Sequence, residues 1–248
     1  MRIIISPAKK MKDSSDFFEY SRLPEFVTRT GKLLKLLRKL DYDKIKSVWN
    51  CNDAIADLNY RRIRKMDLSN RLSPAVFSYE GIQYQYMAPN VFEAVELQYI
   101  EEHLRILSGF YGMLRPFDGV TAYRLEMQAK LEGPKFKNLY EFWGNRLAKQ
   151  LFTESKCIIN LASKEYSKCI EPYLNKNIRF ITCSFGEWKD GKIIEKGTQV
   201  KIARGEMVRY MAENQIIQPE KLKGFDRLGY QFSEVLSNDT CYVFIKKM

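Results

Sequence analysis

Two short apolar runs constrain this chain more than anything else in its sequence: Ile3-Ile4-Ile5 near the start and Cys157-Ile158-Ile159-Asn160-Leu161 past the middle. Neither alternates polar with apolar residues, so each suits a strand covered on both faces, and such strands belong to sheets with helices on both sides. The first run stops at Ser6-Pro7, the second near Ser163. Helical spacing supplies the covering layers. Leu23, Phe26, Val27, Leu33, Leu34, Leu37 and Leu40 recur at helical intervals, with Lys32, Lys35 and Lys39 on the opposite face. A turn at Asp41-Tyr42-Asp43 follows, with Asp43 as N-cap of a second helix carrying Ile45, Val48, Trp49, Ile55 and Ile63. Residues 24–66 therefore read as a basic pair of antiparallel helices.

Further on, the stretch from Ala75 to Tyr86 is aromatic and turn-rich, and a helix is predicted over about 90–107, ended by Gly109, Gly112 and Pro116. Helical pattern returns from Tyr140 to Phe152. Residues 178–186 with 192–203 predict a hairpin around Asp190-Gly191, and Tyr230 to Leu236 with Tyr242 to Lys246 predict another around Ser237-Asn238-Asp239. No repeat, low-complexity tract or linker divides the chain. The expected fold is α/β (α+β mixed), one domain over residues 1–248 with a mixed sheet.

Composition narrows the function. No apolar run approaches the roughly 20 residues of a membrane span, and Met1 to Pro7 reads as a strand rather than a secretory leader, so a cytoplasmic protein without membrane contact is expected. Five scattered cysteines with no C-x-x-C pair read as reduced core residues. The lone histidine, His103, excludes imidazole-rich metal sites and leaves acidic oxygens as the only metal option, so no metal or cofactor is expected. Net charge is +11, and between Arg22 and Lys65 there are 12 Lys or Arg against 5 Asp or Glu, so most of the surplus lies in the helical pair. That concentration favours a polyanionic partner.

The glycine-rich dinucleotide and nucleotide signatures, the serine-hydrolase elbow and the zinc-protease motif are absent. What remains are polar residues at the exits of apolar segments, where open α/β sheets place ligand groups. These are Ser6 and Lys9 after the first strand, Arg115 in the segment 107–118, Arg124 and Glu126 shortly after it, Ser163 after the second strand, and Lys201 and Arg204 at an expected strand end running into a helix. Arginine forks suit phosphate or carboxylate. Equally, Arg115 with Asp118, or Arg124 with Glu126, would simply tie a loop down.

The strings ISPAK (5–9), LSGFYGMLRPFD (107–118), YRLEM (123–127), LYEFWG (139–144), NLASKEY (160–166), KIARG (201–205) and GFDRLGYQF (224–232) resemble, in order and along nearly the whole chain, the signatures of the YaaA peroxide-stress family. The resemblance implies a curved sheet surrounded by helices, protection of DNA against hydrogen peroxide in an oxidative stress response, lowered free iron, and duplex DNA binding through a basic cleft with a helix-hairpin-helix element. Candidates for that element are Leu107 to Gly112, which has one residue too many between its glycines, and the basic helices at 24–66, which lack a glycine hairpin. Three functions remain open. One is binding of double-stranded DNA with little sequence preference. The second is an enzyme acting on a small anionic ligand, with Glu126 as candidate acid or base in a pocket formed by the motif residues. The third, direct iron sequestration, lacks the ligands. No protein partner is inferred.

Overall fold

Both apolar runs lie in the middle of one sheet. The computed structural model describes residues 1–14 and 18–247. In it, β1 (Arg2–Ile5) lies between β5 (Leu104–Ser108) and β8 (Cys157–Leu161), parallel to both. Beyond β8 come β9 (Arg179–Lys189) and β12 (Cys241–Lys246), also parallel, and antiparallel β11 (Tyr230–Phe232) forms that edge. At the other edge β6 (Gly112–Leu114) folds back on β5, while β10 (Lys192–Ile194) pairs with β9 away from this path. The result is a mixed, mostly parallel sheet in the order β11-β12-β9-β8-β1-β5-β6. Ile3, Ile4, Ile5, Leu104, Ile106, Ile158 and Ile159 are fully buried, as strands covered on both faces require.

The basic helical pair is in fact three helices, α1 (Val27–Lys39), α2 (Tyr42–Trp49) and α3 (Asp53–Lys65). Asp41, not Asp43, caps α2 by accepting the Lys44 N–H. Asn50 then takes a left-handed conformation that ends α2, and the Asn52 side chain accepts the Ile55 N–H to start α3. Leu33, Leu37, Ile45 and Ile63 reach the core, while Lys32, Lys35 and Lys39 stay exposed.

Two miniature ladders pin loops beside the main sheet: β2 (Lys10–Met11) with β4 (Tyr79–Glu80), and β3 (Ser73–Pro74) with β7 (Gly119–Val120). Between them run α4 (Ala75–Ser78) and α5 (Ile82–Met87). The helix expected over 90–107 is α6 (Ala94–His103), and its last predicted turn is β5 instead. Arg105 hid that strand. It is buried in β5 because Glu154, at the end of α8 (Arg146–Glu154), accepts its Nε at 2.7 Å. The helix expected from Tyr140 to Phe152 is likewise two, α7 (Leu139–Trp143) and α8, parted at Gly144. After α9 (Lys164–Ser167) and the β9–β10 hairpin comes the largest departure. Residues 197–203 are not strand but the start of α10 (Gly197–Glu213), whose Val200, Ala203, Met207, Val208 and Met211 are buried at helical spacing.

Candidate functional site

The chain leaves β1 for β5 on one side of it, yet β8 lies on the other, so strand order reverses at the adjacent carboxyl ends of β1 and β8. Ligand crevices of open α/β sheets form at such switch points. A cavity of about 380 Å³ opens here. Its floor joins the two strand exits: the Ser163 N–H donates to Ser6 Oγ at 2.8 Å, and Ser6 Oγ lies 3.2 Å from Ser163 Oγ. The buried Tyr84 hydroxyl donates to the Ser6 carbonyl at 3.0 Å.

Two glycines set the remaining walls. A Cβ on Gly205 would collide with the Gln83 carbonyl oxygen and lie 3.0 Å from the Met87 nitrogen, so α10 and α5 meet backbone to backbone. That contact sets Lys201 and Arg204 beside Gln83. A Cβ on Gly109 would lie 2.5 Å from the Leu125 carbonyl oxygen, so the turn after β5 supports the segment bearing Arg124 and Glu126 from beneath. The β2–β4 ladder completes the rim, with Lys10 Nζ 3.0 Å from Glu80.

The charges are unevenly matched. Glu126 receives Lys9 Nζ at 2.8 Å and Arg124 at 3.0 Å. Burial pushes the Glu165 carboxyl above its usual range, reinforced by the nearby Glu126 and opposed by the Gln128 N–H and by Lys9. Burial also draws the Arg204 guanidinium below its ordinary value, with Glu195 acting against this, although arginine remains charged. Around the cavity stand Lys9, Lys10, Arg124, Lys201 and Arg204 against Glu80, Glu126 and Glu165, a surplus of two positive charges. Three buried donors on its lining, Gln83 Nε2, Arg124 Nε and Arg204 Nε, find no hydrogen-bond partner among the described residues. A buried unsatisfied donor costs about 1–3 kcal/mol.

Ser6, Lys9, Arg124, Glu126, Ser163, Lys201 and Arg204 all line this one cavity. Arg115 does not. Strand β6 runs antiparallel to its neighbour, so its exit lies at the amino ends of the parallel strands. There the Arg115 N–H donates to Asp118 Oδ2 at 2.9 Å and its side chain approaches Glu154 at 3.9 Å, in a separate cluster with Arg105. The segment proposed from resemblance for a helix-hairpin-helix, Leu107 to Gly112, is instead the β5–β6 strand hairpin, tightened by Ser108 Oγ, which accepts the N–H groups of Phe110 and Tyr111. Lys201 and Arg204 reach the cavity from a helix rather than a strand end. Gln83 and Tyr84, within the aromatic stretch, also line the cavity, and a neutral amide among tyrosines carries no sequence signal.

His103 is buried, its Nδ1 2.9 Å from the Met1 carbonyl oxygen, and burial draws its pKa down. Among the described residues no three His, Cys, Asp or Glu side chains gather as metal ligands. No described helix is long and apolar enough to cross a membrane.

Comparison with known proteins places the chain. The profile of the family described as peroxide stress protein YaaA matches residues 1–236. A UPF0246 protein of Lachnoclostridium phytofermentans is 56% identical over 246 residues, covering 99% of this chain and 96% of its own length. Another, from Agathobacter rectalis, is 53% identical over 248 residues and all of both chains, and one from Pediococcus pentosaceus is 49% identical over 246 residues, 99% and 98% of the two. The match runs through every segment that builds the cavity, and by it the chain belongs to the YaaA family of peroxide stress proteins.

Proposed function

We propose that this peroxide stress protein holds a small anionic ligand in the cavity at the carboxyl ends of β1 and β8. The observation that carries the reading is the set of three buried, unpartnered donors on Gln83, Arg124 and Arg204 within a lining that has surplus positive charge. A ligand rich in acceptor oxygens offsets that charge and offers acceptors to the side chains that carry these donors. Titrating the purified chain with inorganic phosphate and sulfate tests this through a saturable rise in melting temperature. The rise is expected to be largely lost in Arg204→Ala and kept in Arg115→Ala, whose side chain lies elsewhere. Absence of any saturable response overturns the reading.

A second reading, binding of duplex DNA, rests on other residues. Lys32, Lys35, Lys39, Arg61 and Lys65 are exposed on α1 and α3 and outside any ion pair among the described residues, whereas Lys44 and Lys46 are paired with Asp41 and Asp53. Arg38 and Arg64 are committed to backbone carbonyls that staple α1 to α3. Five exposed cations suit phosphates and read no bases, so binding has little sequence preference. The cavity admits a small molecule and no duplex. If each cation neutralises one phosphate, log affinity falls with log salt at a slope of about −4.5. Fluorescence anisotropy on unrelated duplexes measures it, and the Lys32, Lys35 and Lys39 triple alanine variant is expected to flatten the slope by about 2.7. No binding at low salt refutes this reading. Any lowering of free iron is then indirect, through the cavity's ligand or the shielding of DNA, because the described carboxylates do not gather as ligands.

A further inference from the structure

The charges of the cavity narrow its ligand, a step that rests on the anion-binding reading. The cavity has two unlike ends. On α10, Arg204 and Lys201 stand with the unpartnered Gln83 amide, and the carboxylate that acts on Arg204 is Glu195 rather than Glu126 or Glu165. At the other end Glu126 is already in two ion pairs, with Lys9 and Arg124, and Glu165 lies close enough to feel Glu126 and Lys9. Together Glu126 and Glu165 are balanced by Lys9 and Arg124, so an ammonium group finds no net negative charge there. A neutral hydroxyl or amide, in contrast, finds a carboxyl acceptor in Glu165.

We infer that the cavity is a site for the phosphate monoester of a small, neutral, hydrogen-bonding body, with the phosphate on Arg204, Lys201 and Gln83 and the body directed toward Glu126 and Glu165. A monoester carries about −1.5 to −2 charges at neutral pH, which matches the surplus of two positive charges, whereas a carboxylate or sulfate ester supplies only one. The volume of about 380 Å³ holds more than a bare phosphate and falls in the lower part of the range for small-molecule sites. Buried rings of Tyr84, Tyr123 and Tyr166 in the wall give the body an apolar surface to lie against. A sugar phosphate and a nucleoside monophosphate share this chemistry.

Calorimetric titration of the full chain with inorganic phosphate, glucose 6-phosphate, adenosine monophosphate, glucose and adenosine separates the possibilities. At least one monoester is expected to bind about tenfold or more tighter than inorganic phosphate, an added hydrogen-bonded contact of about 1.4 kcal/mol, and the tighter of the two identifies the source. Glucose and adenosine should not bind. Glu165→Ala is expected to shrink the advantage of the ester over phosphate while leaving phosphate affinity unchanged. Arg204→Ala is expected to weaken ester and phosphate alike. Should that variant fail to fold, the comparison on the unaltered protein decides alone. If phosphate binds through Arg204 and neither ester exceeds it, the anion reading stands and this inference falls. If no phosphate compound binds, both fall.

Discussion

Gly205 gives the sharpest test of how the cavity is assembled. In an ordinary helix interior, Gly→Ala is favourable by about 1 kcal/mol. In α10 the new methyl would be driven into the Gln83 carbonyl oxygen, with the Met87 nitrogen 3.0 Å away. Both obstacles are backbone, so rotamer changes give no relief. Carbon–oxygen contacts normally begin at about 3.3 Å, so α10 and α5 must part by roughly an ångström. Such overpacking costs about 1–3 kcal/mol, which outweighs the propensity gain at its upper end and cancels it at its lower end. For a chain of this size the melting temperature is expected to drop by up to about 8 °C. Gly31, inside α1, is the internal control: nothing lies within 4 Å of its Cβ position, so Gly31→Ala should stabilise by about 0.5–1 kcal/mol. Urea denaturation of both variants supplies the free energies. Because the same contact sets Arg204 beside Gln83, Gly205→Ala should also weaken the phosphate response more than its stability loss explains. A Gly205→Ala variant as stabilised as Gly31→Ala, with an intact phosphate response, would refute the claim that this backbone contact builds the site.

Further expectations concern the cluster at the amino ends of the strands. Glu154→Gln leaves the Arg105 guanidinium, only 4% exposed, without its counter-charge, and should cost about 3–5 kcal/mol in urea denaturation. Burial pushes the Asp118 carboxyl up to about 7, against the Arg115 N–H and charge. An acid held this way binds its proton more tightly when folded, so its contribution is full below the unfolded value of about 3.9 and is lost as pH rises to 7. Asp118→Asn should therefore flatten the decline in stability between pH 4 and 7, and an unchanged pH profile would count against it. At the other basic region, Asp41→Ala, which removes the cap of α2, should lower the urea midpoint without altering the phosphate response.

What could be read from the sequence followed physical scale. The strands β1 and β8 and the amphipathic α1 were legible because burial acts on every residue of a run. The breaks at Asn50 and Gly144 were not, since one left-handed residue ends a helix without disturbing the apolar spacing around it. Strand β5 was masked by Arg105, whose burial depends on a glutamate 49 residues later. In the candidate site, residues that follow parallel strands were legible as a group because all such exits share one end of the sheet. Arg115 failed the same logic, for the direction of β6 is set by its turn and not by its composition. Lys201 and Arg204 were singled out under the wrong secondary structure, and it is Gly205 in the same string that brings their helix to the cavity.

The thiols bear on how a peroxide stress protein of this fold can act. A cysteine that reduces peroxide must be a thiolate near neutral pH, which takes an electropositive, partly exposed setting. Here Cys51, Cys157, Cys169, Cys183 and Cys241 are all pushed above the ordinary thiol value, each chiefly by burial, with Cys169 pushed up to about 12. Cys51 is the instructive one. It sits between α2 and α3, within electrostatic reach of Arg124 and Lys46, both of which favour the thiolate, yet burial prevails and Glu126 and Asp53 add to it. Both cations that could have activated the thiol are already in ion pairs, Arg124 with Glu126 and Lys46 with Asp53. Burial and the two carboxylates together hold the Cys51 thiol in its protonated form, the opposite of the setting a peroxide-reducing cysteine requires. Cys51, in the link between α2 and α3, feels both Arg124 and Glu126, so that link and the cavity wall lie within electrostatic reach of each other.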